Sequence, residues 1–248
     1  MGAPLGAGTR RNCRVALKRT ADFRLRMPRF RKLRRLGIHT AKLMRTGGVA
    51  ALTYGQGVVG VSPSTLRNQR RMVATATAPV AGGCGQQLDL ALVMADGSSR
   101  GRADPAFAAH IDPIGQWALA IWEKWLPRES LLKLAAEALD LAIRRQRPWA
   151  HCTGPGAAFV LSAARLGWTV HDAFTVTMDD GKPLSFILDP PCVVKRFVAD
   201  SVRRWRWRSI EEHAPTSHRG ASHWFSDMPS CRILKQQRHD LREVKVGP

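Results

Sequence analysis

The chain has 248 residues, of which 44% are apolar and 23% charged; this composition supports one or two folded domains and excludes wholesale disorder. Its 39 lysines and arginines face only 19 acidic residues, which leaves a formal charge of +20. Such a surface favours polyanions, nucleic acid before anionic membrane, and argues against an enzyme for small acidic or neutral metabolites. Arginine supplies 30 of these cations, and its guanidinium binds phosphate through two N–H groups and stacks on bases.

The charge is unevenly distributed along the chain. Residues 1–45 hold 14 basic residues and one acid (Asp22), residues 46–194 hold 13 and 12, and residues 195–248 hold 12 and 6. A coding bias towards arginine is an alternative explanation of the arginine excess, but it would spread the charge evenly. The segregation therefore favours a functional basic arm at the amino terminus.

Compartment and membrane signals are sparse. The five cysteines are scattered and form no Cys-x-x-Cys pair, which is typical of reduced thiols inside a cell. The longest uncharged run, residues 46–66, contains five glycines and is too weakly apolar to predict a membrane span. We expect an intracellular protein, nuclear rather than cytoplasmic, with no membrane partner.

The first half of the chain predicts a basic arm followed by helices. Residues 10–27 are basic and only weakly periodic, which indicates an arm or a frayed helix. A helix is expected from Pro28, because apolar side chains alternate with arginines and lysines as far as Gly37. A second helical stretch begins near Thr40, and Ser62-Pro63 predicts another helix start with Ser62 as its N-cap.

The second half predicts further helices and one hairpin. The turn sequence Asp179-Asp180-Gly181-Lys182 separates two β-prone runs, 170–177 and 184–188, as in a β-hairpin. The chain is therefore predicted to be mainly α, a helical bundle-like body with one small β-hairpin, a basic N-terminal arm and a polar C-terminal tail. The predicted helices of this half cover residues 105–126, 129–147, 154 to about 167, and 190 to 207.

Two groups of residues are candidate metal sites. The tail contains several metal-ligating side chains, but their spacing matches no standard structural zinc pattern, so we expect no metal and no cofactor. The apolar run 88–94 followed by Asp96 resembles the first strand of a ribonuclease H, yet a polar stretch follows where a second strand is required. Two-metal chemistry needs at least two converging carboxylates, and a metal-dependent nuclease or hydrolase using Asp96 stays an alternative. The tail residues are His213, His218, His223, Cys231 and His239.

The strongest local signal is the run from Arg203 to Arg208, in which arginines alternate with two tryptophans. Arginine neutralises phosphates and tryptophan offers a face on which bases stack. Helical periodicity places Trp205 on the core side, in line with Val202, whereas Trp207 is equally compatible with the core and with exposed stacking.

The region between residues 43 and 74 carries a family resemblance. It places Thr53-Tyr54-Gly55 in an apolar helix, then Gly60-Val61-Ser62-Pro63-Ser64, then Leu66-Arg67 and Arg70-Arg71. This pattern resembles the thumb of non-LTR (LINE-type) retrotransposon reverse transcriptases. Leu5-Gly6 and the arginine-rich run that follows look like the segment that joins palm to thumb in that family, and the tryptophan-rich helices are similar to its connecting region.

The resemblance implies a polymerase segment without its active site. The fingers and palm, with the paired catalytic aspartates, would lie before Met1, and no intact ribonuclease H follows. A thumb grips the primer–template duplex through its phosphates, so nucleic-acid binding is the property it implies. The corresponding segments are a basic arm and first helix (1–45), thumb-like helices (46–80), a helical connecting body with the hairpin near 170–189 (81–212) and a flexible polar tail (213–248).

Three functions therefore compete. The first is a non-catalytic nucleic-acid-binding module of reverse-transcriptase descent, with RNA, DNA or an RNA–DNA hybrid as partner. The second is the Asp96 hydrolase, and the third is a mobile-element-derived reading frame without a selected function. For the first, the predicted nucleic-acid-binding residues are Arg29, Arg31, Lys32, Arg34, Arg35, Lys42, Arg67, Arg70, Arg71, Arg203, Arg204, Arg206, Trp207 and Arg208.

Overall fold

A computed structural model of the chain describes residues 10–77, 86–96 and 102–212. Within these residues the fold is mainly α with one small antiparallel sheet, as predicted. The helices are α1 (Arg14–Arg35), α2 (Thr40–Leu43), α3 (Val49–Thr53), α4 (Gln56–Val59), α5 (Pro63–Thr77), α6 (Gln86–Asp96), α7 (Pro105–Trp122), α8 (Arg128–Arg144), α9 (Pro155–Leu166) and α10 (Pro191–Glu212). A π-helical turn (Met44–Gly48) joins α2 to α3, a 3-10 turn (Pro148–His151) precedes α9, and the strands are β1 (Thr169–Val170), β2 (Thr175–Thr177) and β3 (Pro183–Ser185).

Helix ends follow the capping signals in the sequence. The N–H of Thr65 donates to Ser62 Oγ (3.4 Å) at the start of α5, as predicted for an N-cap serine. Asp104 caps α7 by accepting from the N–H of Ala106 (2.9 Å). Helix α9 ends at Gly167, whose φ of +87° lies in the left-handed region that favours glycine at this position.

The predicted hairpin is confirmed, within a sheet of three strands in the order β1-β2-β3. Val176 pairs with Leu184 across the turn, and Gly181 adopts a φ of +81° at its tip. The run expected as one strand over 170–177 is instead divided into β1 and β2. The cause is Asp172, whose Oδ1 accepts from the N–H groups of Phe174 (2.7 Å) and Thr175 (2.8 Å) and closes a turn there.

Helix α1 differs from its prediction. It is one continuous helix of 22 residues that contains Pro28, rather than an arm followed by a helix that starts at this proline. Phe23 and Met27 are buried on one side of it, and Phe30 packs beside them. Their spacing of four and three residues places them on one helical face. Because only three apolar residues form this face and many cations surround them in the sequence, the pattern did not predict a packed helix.

The core has two principal clusters. The larger one surrounds α7, where Trp117 stacks on Phe159 at 5.2 Å between ring centroids and Phe159 meets Phe186 edge-on at 5.5 Å. The second lies under α1 and joins Phe23 and Met27 to α5 and α6. Helix α5 belongs to both, since Leu66 lies in the first and Val73 in the second.

No helix among the described residues is both long and apolar enough to cross a membrane. The tail expected to be polar and flexible, with its histidines and Cys231, lies outside the described residues.

Candidate functional site

The outer side of α1 is strongly basic. The helix has a single acid, Asp22, and within the described part of the chain none of its eight exposed cations forms an ion pair. Together these eight form what we call the basic face of α1: Arg14, Lys18, Arg24, Arg26, Arg29, Arg31, Lys32 and Arg35. Four of them, Arg29, Arg31, Lys32 and Arg35, are among the predicted phosphate contacts.

Contacts with α5 fix α1 in place. Arg34, another predicted contact, is partly buried and donates to the carbonyl of Thr75 at 2.9 Å. Thr40 Oγ1, just beyond the helix, donates to the carbonyl of Ala76 at 2.7 Å. The basic face is therefore presented by a helix that is packed on the body, and not by a free arm.

Further predicted contacts are exposed near α1. Lys42 is exposed on α2, and Arg67 and Arg71 are exposed on α5, one turn apart. Arg67 forms no hydrogen bond or ion pair among the described residues. Lys42 and Arg67 are therefore available to an anion from outside, and Arg71 is exposed beside Arg67.

Arg70 and Arg206, in contrast, are buried. Arg70 donates from Nε to Asp104 Oδ1 (3.0 Å) and from Nη2 to Asp104 Oδ2 (2.9 Å), and it also pairs with Asp89. Arg206 pairs with Asp96, and its Nε lies 3.3 Å from Asp104 Oδ2. Their prediction as phosphate contacts is therefore wrong, because both guanidinium groups already have carboxylates as partners away from solvent.

The charges of this network affect its aspartates differently. Burial favours the neutral form of Asp104, but Arg70 and Arg206 outweigh it and hold the pKa of this carboxyl below its ordinary value. At Asp96 burial outweighs the attraction of Arg206, and the pKa is raised. The pKa of Arg70 is raised, because Asp104 and Asp89 overcome the opposing effect of burial. Asp104 thus acts as the ionised centre to which both arginines bind.

Asp96 lies at the end of helix α6 and not after a strand. Residues 88–94 belong to α6, so the expectation of a ribonuclease H strand there is wrong. The Asp96 carboxylate accepts from the N–H groups of Ala103 (2.7 Å) and Asp104 (3.1 Å) besides pairing with Arg206. Among the described residues no group of three His, Cys, Asp or Glu side chains could hold a metal ion. Asp96 is therefore a buried connecting group between helices.

The arginines of α10 are mostly engaged as well. Arg204 forms a two-point contact with Asp179 (Nε–Oδ2 2.8 Å and Nη2–Oδ1 2.6 Å), which lowers the pKa of that carboxyl against the effect of burial. Arg208 donates to the carbonyl of Leu166 (3.0 Å), and Arg203 pairs with Asp200. These contacts tie α10 to its neighbours, and the three arginines, which are still partly exposed, stay predicted phosphate contacts.

The two tryptophans of this run are both partly buried. Trp205 packs against the larger core cluster, as expected, with the His110 ring at 5.7 Å and the Arg70 guanidinium at 5.1 Å from its ring centroid. Because His110 and Arg70 lie against the Trp205 ring, the structure does not support stacking of a base on it. Trp207, the predicted stacking residue, has contacts within the protein.

A cleft of about 320 Å³ is lined by residues of α5, α6, α9 and α10. Its cationic lining consists of Arg67, Arg70, Arg71 and Arg165, with Asp89 as the acid of the same lining. Arg165 was not predicted, since a single arginine in the last turn of a helix is an ordinary feature of sequences.

Compared with protein-family models, with curated proteins and with solved structures, the chain matches none.

Proposed function

We propose that this chain is a non-catalytic nucleic-acid-binding module that grips the phosphate backbone through the basic face of α1. One observation carries the proposal: eight exposed cations, which have no ion-pair partner among the described residues, share one helix that is fixed on the protein body. Arg67, Arg71 and Lys42 add charge from the adjoining helices α5 and α2.

The dimensions of α1 suit a nucleic-acid duplex. A helix of 22 residues is about 33 Å long at 1.5 Å per residue, and duplex DNA carries one phosphate charge per roughly 1.7 Å of its axis. Apart from Asp22, the exposed side chains of α1 are cationic, aliphatic or small, and no aromatic ring of the helix is exposed for base stacking. This favours binding to phosphates without preference for sequence.

The proposed descent from a reverse-transcriptase thumb has its support in the sequence motif. In the fold, Tyr54 and Gly55 connect α3 to α4, with Gly55 at a φ of +80°, instead of lying inside one helix as expected. Arg70 of the motif's Arg-Arg pair is buried and Arg71 is exposed. Within this proposal the partners are RNA, DNA or their hybrid, and the nucleus is the favoured location.

The test is a salt titration of binding measured by fluorescence anisotropy. DNA, RNA and hybrid duplexes of one sequence are titrated with the chain at several salt concentrations. About six phosphate contacts predict a slope of roughly −5 in a plot of log K against log [salt]. A slope near zero would contradict the proposed function. It would favour the alternative of a reading frame without a selected function.

A variant identifies the surface. Replacing Arg24, Arg29, Arg31 and Arg35 by Gln should reduce the magnitude of the slope by about 3 to 4, since each lost contact removes about 0.9. The matched control replaces four exposed cations outside α1, Lys133, Arg145, Arg147 and Arg196, and should keep the wild-type slope. Equal effects of both variants would mean that only net charge matters, and tighter binding to anionic vesicles than to any duplex would assign α1 to membranes.

A further inference from the structure

An apolar groove lies between the end of α7, the start of α8 and the segment that joins β3 to α10. Its volume is about 740 Å³. Several large apolar side chains of its lining are open to solvent, since Trp122 is 45% exposed, Trp125 54% and Ile187 49%. Grouped apolar side chains of this kind on a protein surface indicate a place where another molecule binds.

Hydrogen-bonded turns hold the two sides of the groove in place. The N–H of Trp125 donates to the carbonyl of Ala120 (2.9 Å), and Lys124 in this turn has a φ of +55°. The left-handed region is unfavourable for a lysine, and backbone strain of this kind is concentrated at functional sites. On the opposite side, the N–H of Asp189 donates to the carbonyl of Ser185 (2.8 Å) and closes the turn that carries the exposed isoleucine.

The edge of the groove is cationic. Lys124 and Arg128 belong to the lining, which contains no acid among the described residues, and neither side chain forms an ion pair there. The acids nearest to them in sequence, Glu123 and Glu129, lie outside the lining. Glu123 accepts from Nε1 of Trp125 at 2.8 Å. The groove therefore combines an apolar lining with two positive charges at its edge.

These charges narrow the choice of occupant. A second copy of the chain would bring another formal charge of +20. Residues 213–248 of the chain contain six basic and three acidic residues, so this tail is also positive. Like charges across an interface are unfavourable, whereas an acidic partner is attracted by Lys124 and Arg128.

The form of the occupant follows from the groups that the groove offers. An added β-strand needs free backbone donors and acceptors along an edge, but the turns that carry Trp125 and Ile187 use backbone donors of their own. A single nucleic-acid strand needs a track of cations along its backbone, whereas eight of the ten lining residues are apolar. An amphipathic helix satisfies its own backbone and binds through apolar side chains three and four residues apart.

We propose that this groove binds an acidic amphipathic helix of another protein. Its apolar side chains pack against Trp122, Trp125 and Ile187, and its carboxylates face Lys124 and Arg128. Aromatic side chains at the centre of an interface contribute most of the binding free energy, and charges at its edge select the partner. The groove is separate from the proposed nucleic-acid surface, because its lining lies outside α1, α2 and α5.

The experiment uses the full chain and two fluorescein-labelled peptides of about 18 residues, a length at which isolated helices begin to form. In the first peptide leucines recur every three or four residues and glutamates occupy the other face. The second has the same composition in scrambled order, so any attraction by the basic face of α1 is equal for both. Fluorescence anisotropy should show that the amphipathic peptide binds about tenfold more tightly than the scrambled one.

Two variants locate the binding. Trp125→Ser should remove the preference for the amphipathic peptide, whereas Ile143→Ser, which changes an exposed apolar side chain outside the groove, should keep it. Lys124→Glu should weaken binding of this peptide about fivefold and strengthen binding of a version with lysines in place of glutamates. The matched control Lys133→Glu, an equal change of charge outside the lining, should alter the affinity less than twofold.

Equal affinities of the two peptides for the wild type, or an unchanged preference in Trp125→Ser, overturn the proposal. So does a dimer in analytical ultracentrifugation that Trp125→Ser converts to monomers, which assigns the groove to a second copy. A preference that appears only in Trp224→Ser assigns it to the tail of the same chain. Weaker duplex binding by Trp125→Ser, without a peptide preference in the wild type, assigns it to nucleic acid.

The proposal for α1 is tested separately. Peptide preference together with a salt slope near zero for duplexes would support the groove and contradict the proposed function. Loss of the α1 charges should weaken binding of both peptides and preserve their ratio. Circular dichroism checks that each variant folds, and if Trp125→Ser does not, Ile187→Ser and Lys124→Glu decide.

Discussion

At the scale of single residues, Arg206 shows how the fold uses charge. Its guanidinium contacts Asp96 and Asp104 at the junction of α6, α7 and α10. Leaving a buried carboxylate without its partner is among the costliest single changes in a protein. Cations of this kind stabilise the fold and do not contribute to its interaction with a polyanion.

Arg206→Ala is therefore expected to lower the free energy of unfolding by about 3–5 kcal/mol, as when one partner of a buried pair is removed. The comparison is Arg196→Ala, also on α10 but exposed, which should change it by less than about 0.5 kcal/mol. Urea unfolding followed by circular dichroism measures both. Similar values for the two variants would show that the buried network does not hold α10.

Asp112 on α7 is a carboxyl whose ionisation opposes folding. Burial raises its pKa to about 6, with Lys195 and Arg102 acting in the opposite direction. Since the unfolded value is near 4, the native state binds more protons between these pH values. This carboxyl therefore makes the protein less stable as the pH rises from about 4 to about 6.

Asp112→Asn should then be more stable than the wild type at pH 7, by on the order of 2 kcal/mol. The difference should shrink towards zero at pH 4, where both the acid and the amide are uncharged. Urea unfolding of the two proteins at pH 4, 5, 6 and 7 gives the difference directly. A constant difference across this range would contradict the assigned pKa.

At the scale of elements, α1 has two faces with different tasks. Phe23 is 4% exposed and packs in the second core cluster, whereas Leu25, two residues on, is 78% exposed. The basic face lies on the solvent side of the same helix. Stability and charge can therefore be changed independently within α1.

Phe23→Ala should lower the free energy of unfolding by about 3–5 kcal/mol through the cavity it leaves. Leu25→Ala removes an apolar side chain that is exposed to solvent, so it should lower the free energy of unfolding by less than about 0.5 kcal/mol. Thermal and urea unfolding of both variants test the assignment. If Phe23→Ala melts like the wild type, α1 is not packed on the body.

At the scale of the whole molecule, the two core clusters meet at buried charges. Arg70 of α5 and Arg206 of α10 bridge aspartates of α6 and α7, and α5 contributes apolar side chains to both clusters. Removing residues 1–35 would take away Phe23, Met27 and Phe30 and uncover one cluster. We therefore expect this truncation to lower the melting temperature, contrary to the sequence-based expectation of a separable arm.

The sequence was sufficient for local features and insufficient for distant ones. Ser62-Pro63 and Asp180-Gly181 predicted a helix start and a hairpin correctly, because caps and turns depend on neighbouring residues. The hydrogen-bonded carboxylates of Arg70 lie 19 and 34 residues away, and that of Arg206 lies 110 residues away; no local pattern encodes such a pairing. Arg165 was missed for the same reason, since its surroundings are set by packing of α9 against residues 60–61.

The backbone turn at Gly60 positions two arginines, because Arg11 and Arg165 bond to the carbonyls of Gly60 and Val61. Its φ is +60°, and an added Cβ would lie 2.8 Å from Cζ3 of Trp149, whose ring carries the Arg165 guanidinium at 4.2 Å. Gly60→Ala should thus cost about 1–3 kcal/mol in backbone strain, whereas Gly47→Ala, with nothing within 4 Å, should be close to neutral. Because Arg11 bonds to the carbonyl of Gly60 itself, a displaced turn would move both guanidinium groups together. Gly60→Ala should therefore shift two cations at once, even though every charged residue of the chain is retained.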